Sequence, residues 1–228
     1  MNIENIFDDI SFKVSPKDDY RSSYKFRFIK SFYKIFKKEK NYVFDNCIIN
    51  KEKIDLDLRK ELIKIDSMST YAIGYLINRI CKNLSKNQVY LNIGCWKGFS
   101  LIAGMINTQC KVIGVDNFSQ FKGPKNDFIK NFENSKKSNH FFFEQDYEKY
   151  FESLGHTKDK FDFYFYDGEH SYDNQFKNLE IADNFLNVGS LVLIDDINFD
   201  EVYEGTLDFM TKTKSKYRII KAVSYTHL

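Results

Sequence analysis

The chain has 228 residues, 43% hydrophobic and 29% charged, with a formal net charge of +2, only 2 Pro and 10 Gly; this excludes a disordered or linker-rich chain and leaves room for one α/β domain plus a modest extension. No apolar run approaches the roughly 18 residues of a membrane span, and Glu4, Asp8 and Asp9 stand where a signal peptide needs basic and apolar regions. Four cysteines (Cys47, Cys81, Cys95, Cys110) show neither zinc spacing nor a disulfide framework, so reduced thiols and a cytoplasmic location are expected.

In chain order, residues 1–60 read as a helical extension. Between residues 21 and 40 stand eight Lys or Arg and one acid, Glu39. Apolar side chains recur there at helical spacing (Phe28/Ile29, Phe32, Ile35/Phe36), which predicts an amphipathic helix over 24–36. The 23 Phe and 15 Tyr of the chain also suit an AT-rich codon bias, so the basic, aromatic pattern is read as a cap or packing element without nucleic-acid specificity.

Residues 61–222 read as a separate α/β core. Ser67, Met68, Ser69 and Thr70 offer caps for a helix with Tyr71, Ile73, Leu76, Ile77, Ile80 and Cys81 on its apolar side. A buried strand over 88–93 ends at Gly94, and a helix over 99–106 follows. The next strand, 111–115, is closed by Asp116, and Pro124 opens a helix reaching 136. Then come a strand (140–144), a short helix (147–154) and a strand (161–166) ending at Asp167-Gly168. A helix over 172–186 turns Phe176, Leu179, Ala182 and Phe185/Leu186 inward. The fifth strand, 190–194, ends at Asp195-Asp196, and a last helix (200–213) and strand (217–223) complete the series. Strands alternating with helices predict a mostly parallel sheet with a ligand crevice beyond the strands' carboxyl ends. Gly94, Asp116, Asp146, Asp167, Asp195 and Asp196 all fall there.

Gly94-x-x-x-Gly98-x-Ser100 joins the first core strand to its helix. Glycine at the strand end permits a tight turn and close approach of backbone to a ligand, although a plain strand-to-helix turn has the same form. A dinucleotide fingerprint needs a glycine where this chain has Trp96, which disfavours a nucleotide-sugar or NAD-linked enzyme. Asp116, about 20 residues downstream, stands where an acid can accept hydrogen bonds from ribose hydroxyls. Asp167, Glu169, His170, Asp195 and Asp196 converge from two strand ends; clustered carboxylates must be protonated, paired or bound to a cation. Oxygen ligands on short loops suit Mg²⁺.

The runs VYLNIGCWKGFS, VIGVD and FDFYFYDGEHSYDNQFKNLEIADNFLNVGSLVLIDD resemble class I S-adenosylmethionine-dependent methyltransferases, in the branch of macrocin-type O-methyltransferases and cephalosporin-hydroxylase-like proteins. The resemblance covers about residues 67–223. It implies a Rossmann-like α/β sheet with helices on both faces, and methyl transfer from S-adenosylmethionine to a hydroxyl of a small molecule of sugar or natural-product type. It places the cofactor against Asn92, Gly94, Trp96, Gly98, Ser100, Asp116, Asp146 and Asp167. Many relatives carry an acid where this chain has Asn92. By the same resemblance Asp167, Asp195 and Asp196 match ligands of a candidate Mg²⁺, and Glu169 matches the proposed base. His170 competes for that role because its ordinary pKa suits proton transfer near neutrality. A small-molecule acceptor and a homo-oligomer are the expected partners; a catalytically silent binding protein on the same fold is the alternative. Residues 223–228 resemble a sequencing-adapter translation, which implies a truncated chain lacking the final strand of its sheet.

Overall fold

The computed structural model describes residues 10–12, 47–49, 55–155 and 160–220. The expected helix over 24–36, the whole basic segment 21–40 and residues 223–228 lie outside the described residues.

Five strands form one parallel sheet: β3 (Val89–Ile93), β4 (Lys111–Asp116), β5 (His140–Glu144), β6 (Phe161–Tyr166) and β7 (Leu186–Ile194), in spatial order β5-β4-β3-β6-β7. The chain fills one side of β3 and then returns to fill the other. This places a topological switch point between β3 and β6, where their carboxyl ends open a crevice. Alternation along the strands feeds a core on each face. Phe163 and Phe165 pack with Tyr90 and Val112 on one side, and Tyr164 and Tyr166 with Leu91 and Val115 on the other.

The first core is covered by α1 (Leu56–Leu62), α2 (Tyr71–Lys82), α3 (Phe99–Met105) and α4 (Lys125–Ser135). The Thr70 hydroxyl accepts the Ile73 N–H at 3.4 Å, the N-cap expected of that residue. Asn78, 2% exposed, donates to the carbonyls of Ala103 and Ile106 at 2.8 Å each, locking α2 to α3. A side chain at Gly74 would meet Leu62 at 2.6 Å and Phe99 at 3.0 Å, so this glycine sets the close approach of three helices. The second core is covered by α5 (Tyr147–Leu154), α6 (Tyr172–Asp183) and α7 (Asp200–Lys212).

Several expectations are corrected. The residue 60 boundary falls inside α1, whose Leu58 and Leu62 are buried in the core. Two short strands, β1 (Ile10–Phe12) and β2 (Cys47–Ile49), pair antiparallel within the stretch expected to be helical; at three residues each they are too short to show a periodicity. Helix α6 stops at Asp183, and Leu186 opens β7 instead of extending the helix. The reason is local: Asn184 caps the helix through its backbone N–H, while Asn187 donates to Asp162 at 2.9 Å and holds the chain beside β6. The strand expected over 217–223 is not formed over 217–220. There the Tyr217 hydroxyl donates to Asp183 at 2.6 Å and its ring packs against Phe209, which draws the chain across the end of α6. Among the described residues β7 therefore ends the sheet. A groove of about 630 Å³ runs along it, lined by Ile73, Leu76 and Ile80 of α2, by Leu191 and Leu193, and by Tyr203. No helix among the described residues is long and apolar enough to cross a membrane.

Candidate cofactor and active site

The glycine turn is built by crowding at the switch point. Gly94 has φ +81°, and a Cβ there would lie 1.9 Å from the Asp167 carbonyl oxygen. Asp167 in turn donates its N–H to the Ile93 carbonyl at 2.9 Å, so the ends of β3 and β6 are stitched together at this residue. No other residue type fits such a contact with a left-handed backbone. Gly98, φ +96°, is the N-cap of α3.

Asp116 is the organising carboxylate. Its Oδ2 accepts the N–H groups of Cys95 and Trp96 at 2.7 and 2.8 Å, and its Oδ1 accepts the Phe118 N–H at 2.6 Å. Two of these charge-assisted bonds hold the glycine loop against β4, where Trp96 has φ +45°, and the third turns the chain after β4. A carboxylate offers about four lone-pair sites, so Asp116 retains acceptor capacity on Oδ1 only. Lys97, next in the loop, bridges Asp66 at 2.9 Å and Asp127 at 3.1 Å and lies 4.8 Å from the centre of the Trp96 ring. These partners are distant in sequence, and no spacing rule pointed to them.

Gly94, Trp96, Asp116, Asp146, Asp167 and Glu169 line one cavity of about 150 Å³. Asp146 also caps α5, accepting the Glu148 N–H at 2.8 Å. Asn92 and Ser100 lie elsewhere. Both are buried, and Ser100 donates to Asn92 Oδ1 at 2.8 Å while the Asn92 amide donates to the Gly94 carbonyl at 3.1 Å. They brace the loop from beneath, as Gly98 does from the helix end. An amide rather than a carboxylate suits that position: Asn92 is fully buried and must both donate and accept. Sequence reasoning missed Met68, Asn117, Phe118, Gln145, Tyr147 and Asn174 on the cavity wall. Four of these directly follow the β4 and β5 strand ends or open α5, and that position was the available signal.

The carboxylate cluster lies on the opposite flank. Burial, then the charges of Asp195 and Asp196, hold Asp167 well above the usual carboxylate range. His170 Nε2 is buried without a hydrogen-bond partner, 3.8 Å from both Asp167 Oδ1 and Asp196 Oδ2, with its ring beside Phe199. Asp196 has φ +48°. Asp195 lines the neighbouring groove instead of the cavity. Among the described residues no group of three or more His, Cys, Asp or Glu side chains is arranged to hold a metal ion. The expected Mg²⁺ set of Asp167, Asp195 and Asp196 is therefore close in space without forming a ligand shell.

Residues 91–197 match a family described as a methyltransferase domain. No curated protein matches the sequence. Among solved structures, CalS11, a TDP-rhamnose 3'-O-methyltransferase of calicheamicin biosynthesis, superposes with a TM-score of 0.55 at 14% identity, covering 90% of this chain and 94% of that one. The O-methyltransferase from Bacillus cereus in complex with SAH gives 0.53 at 15% identity, over 69% and 78% of the two chains. TomG from Streptomyces achromogenes, an O-methyltransferase of tomaymycin synthesis in complex with SAM, gives 0.51 at 15% identity, over 70% and 78%. At these identities the likeness establishes the fold. The chain therefore has the fold of these methyltransferases, and its residues 91–197 match the methyltransferase-domain family.

Proposed function

We propose that the chain transfers a methyl group from S-adenosylmethionine to a hydroxyl of a small molecule. The observation that carries this reading is the convergence of the Gly94 turn, Asp116 and Asp167 on one cavity at the switch point of the sheet. The residues fit the cofactor. The loop brings backbone close to the crevice with no intervening side chain at Gly94, and Asp116 keeps acceptor capacity on Oδ1 for a ribose hydroxyl. Asp146 and Gln145 offer polar groups to the same cavity, and Ile93, Val115 and Phe118 supply apolar wall. When bound, S-adenosylmethionine supplies a sulfonium methyl group for in-line displacement by the acceptor oxygen. The names of the similar structures, which include O-methyltransferases crystallised with SAM or SAH, support that choice.

Within the chain, Glu169 is the better-placed base. It lines the cavity, whereas His170 sits one residue on with Nε2 facing Asp167 and Asp196. We assign Glu169 to removal of the acceptor hydroxyl proton and His170 to positioning the acidic pair. Burial, then the charges of Asp195 and Asp196, push Asp167 toward its neutral form, in which a carboxyl can donate a hydrogen bond. No step is routed through Mg²⁺, because the carboxylates do not form a ligand shell. A sugar-type acceptor is the substrate class this reading favours.

Calorimetric titration with S-adenosylmethionine, SAH and NAD tests the reading. The two sulfur compounds are expected to bind and NAD is not. Binding of NAD with no response to SAH would overturn it.

A further inference from the structure

Residues 117–124, between β4 and α4, cross the mouth of the cavity, and five of them, Asn117, Phe118, Ser119, Gln120 and Phe121, are consecutive in its wall. Both ends of this loop are fixed. The Phe118 N–H is held by Asp116 at 2.6 Å, and its ring packs against Phe128 and Phe142 at 5.3 and 5.7 Å. At the other end the Pro124 carbonyl accepts the Phe128 N–H in the first turn of α4.

Between these posts the backbone is bent sharply. Phe121, Lys122 and Gly123 follow one another at φ +49°, +65° and +58°. A run of left-handed residues that includes Phe and Lys is uncommon, and such strain concentrates at ligand clamps. The bend carries Phe121 to the tip, where its side chain lines the cavity yet remains 61% exposed. An aromatic ring at a cavity mouth with most of its surface in water gains burial only when something fills the space below. The cavity itself, about 150 Å³, is smaller than the roughly 300–1,000 Å³ of small-molecule sites. Admitting a cofactor therefore requires part of its wall to shift; within this loop the Ser119 N–H donates to Asn117 Oδ1 and the Gly123 N–H to the Gln120 carbonyl, both at 3.0 Å, so the bend can move as a unit between its two posts.

We propose that Phe121 is a cofactor-covering residue, carried on a loop that folds over the bound aromatic base, with Phe118 as its anchor. This rests on the cofactor reading above, and two readouts separate the two ideas. SAH titrations of wild type, Phe121→Ala and Phe121→Tyr are expected to show about tenfold weaker binding for the alanine variant, near-native binding for the tyrosine variant, and an unchanged melting temperature without ligand. Hydrogen exchange of wild-type amides 119–123 is expected to slow on adding SAH. Phe121→Ala binding SAH as wild type does, or no gain in protection over 119–123, overturns the covering role while leaving the cofactor site intact. Failure of wild type to bind SAH overturns both.

Discussion

The two flanks of the crevice are built on opposite principles. On the β3–β4 side the backbone of the glycine loop is held by a matched network, although the Trp96 Nε1 is buried without a hydrogen-bond partner: Asp116 takes three backbone N–H groups, and Asn92 and Ser100 satisfy each other and the Gly94 carbonyl. On the β6–β7 side three aspartates crowd together, Asp167 is pushed toward its neutral form, and His170 Nε2 has no hydrogen-bond partner. A matched network pre-forms a binding surface and resists change. Unmatched charge and orphaned donors store energy that a substrate can release. The first flank therefore suits holding a cofactor, and the second suits chemistry.

Substitutions that break the matched flank should cost stability, and those on the unmatched flank should cost turnover. The largest effect is expected for Gly94→Ala, whose Cβ would lie 1.9 Å from the Asp167 carbonyl. It should lose more than about 4 kcal/mol in urea unfolding. Asp116→Ala leaves three N–H groups without their acceptor and should cost about 2–4 kcal/mol together with SAH binding. Glu169→Gln should change stability by less than about 0.5 kcal/mol while lowering kcat by about 10²–10⁴-fold. Should Glu169→Gln retain full turnover, the base is another residue, with His170 first in line.

Acid sensitivity sharpens the same division, because one histidine far from the crevice titrates with folding. His140, 5% exposed, starts β5, and burial followed by the charge of Lys137 brings its pKa from 6.5 down to about 4. Its folded pKa is depressed, so the neutral form stabilises the fold fully above pH 6.5. That stability, roughly 3 kcal/mol, is lost as pH falls toward 4. Melting temperature should drop over this window in wild type and stay flatter in His140→Asn, which keeps an acceptor for the Lys137 N–H. Kinetic pH profiles collected in His140→Asn then report the crevice alone. The smallest effect is expected for Lys97→Met. Its partners Asp66 and Asp127 are 62% and 61% exposed, so stability should fall by less than about 1 kcal/mol.

Strands β5 and β6 and helix α5 were legible to the residue, because each is a short apolar run or stripe bounded by turn-forming residues. The end of α6 was not. Phe185 and Leu186 continue the helical period, and only the tertiary bond from Asn187 to Asp162 shows why the chain turns into a strand there. At the site, Gly94, Asp116, Asp146, Asp167 and Glu169 could be placed because strand ends converge in a parallel sheet. The bracing roles of Asn92 and Ser100 could not, since spacing puts a residue in a loop without saying which face it turns to the ligand. The Asp66–Lys97–Asp127 bridge and the bend at 121–123 depend on contacts and dihedral angles that no pattern of residue types encodes.

The division between flanks stands or falls on one titration. SAH added to wild type, Asp116→Ala and Glu169→Gln, followed through the fluorescence of Trp96, the single tryptophan, should bind wild type and Glu169→Gln alike and fail to bind Asp116→Ala. Undiminished binding to Asp116→Ala, or loss of binding in Glu169→Gln, would contradict it.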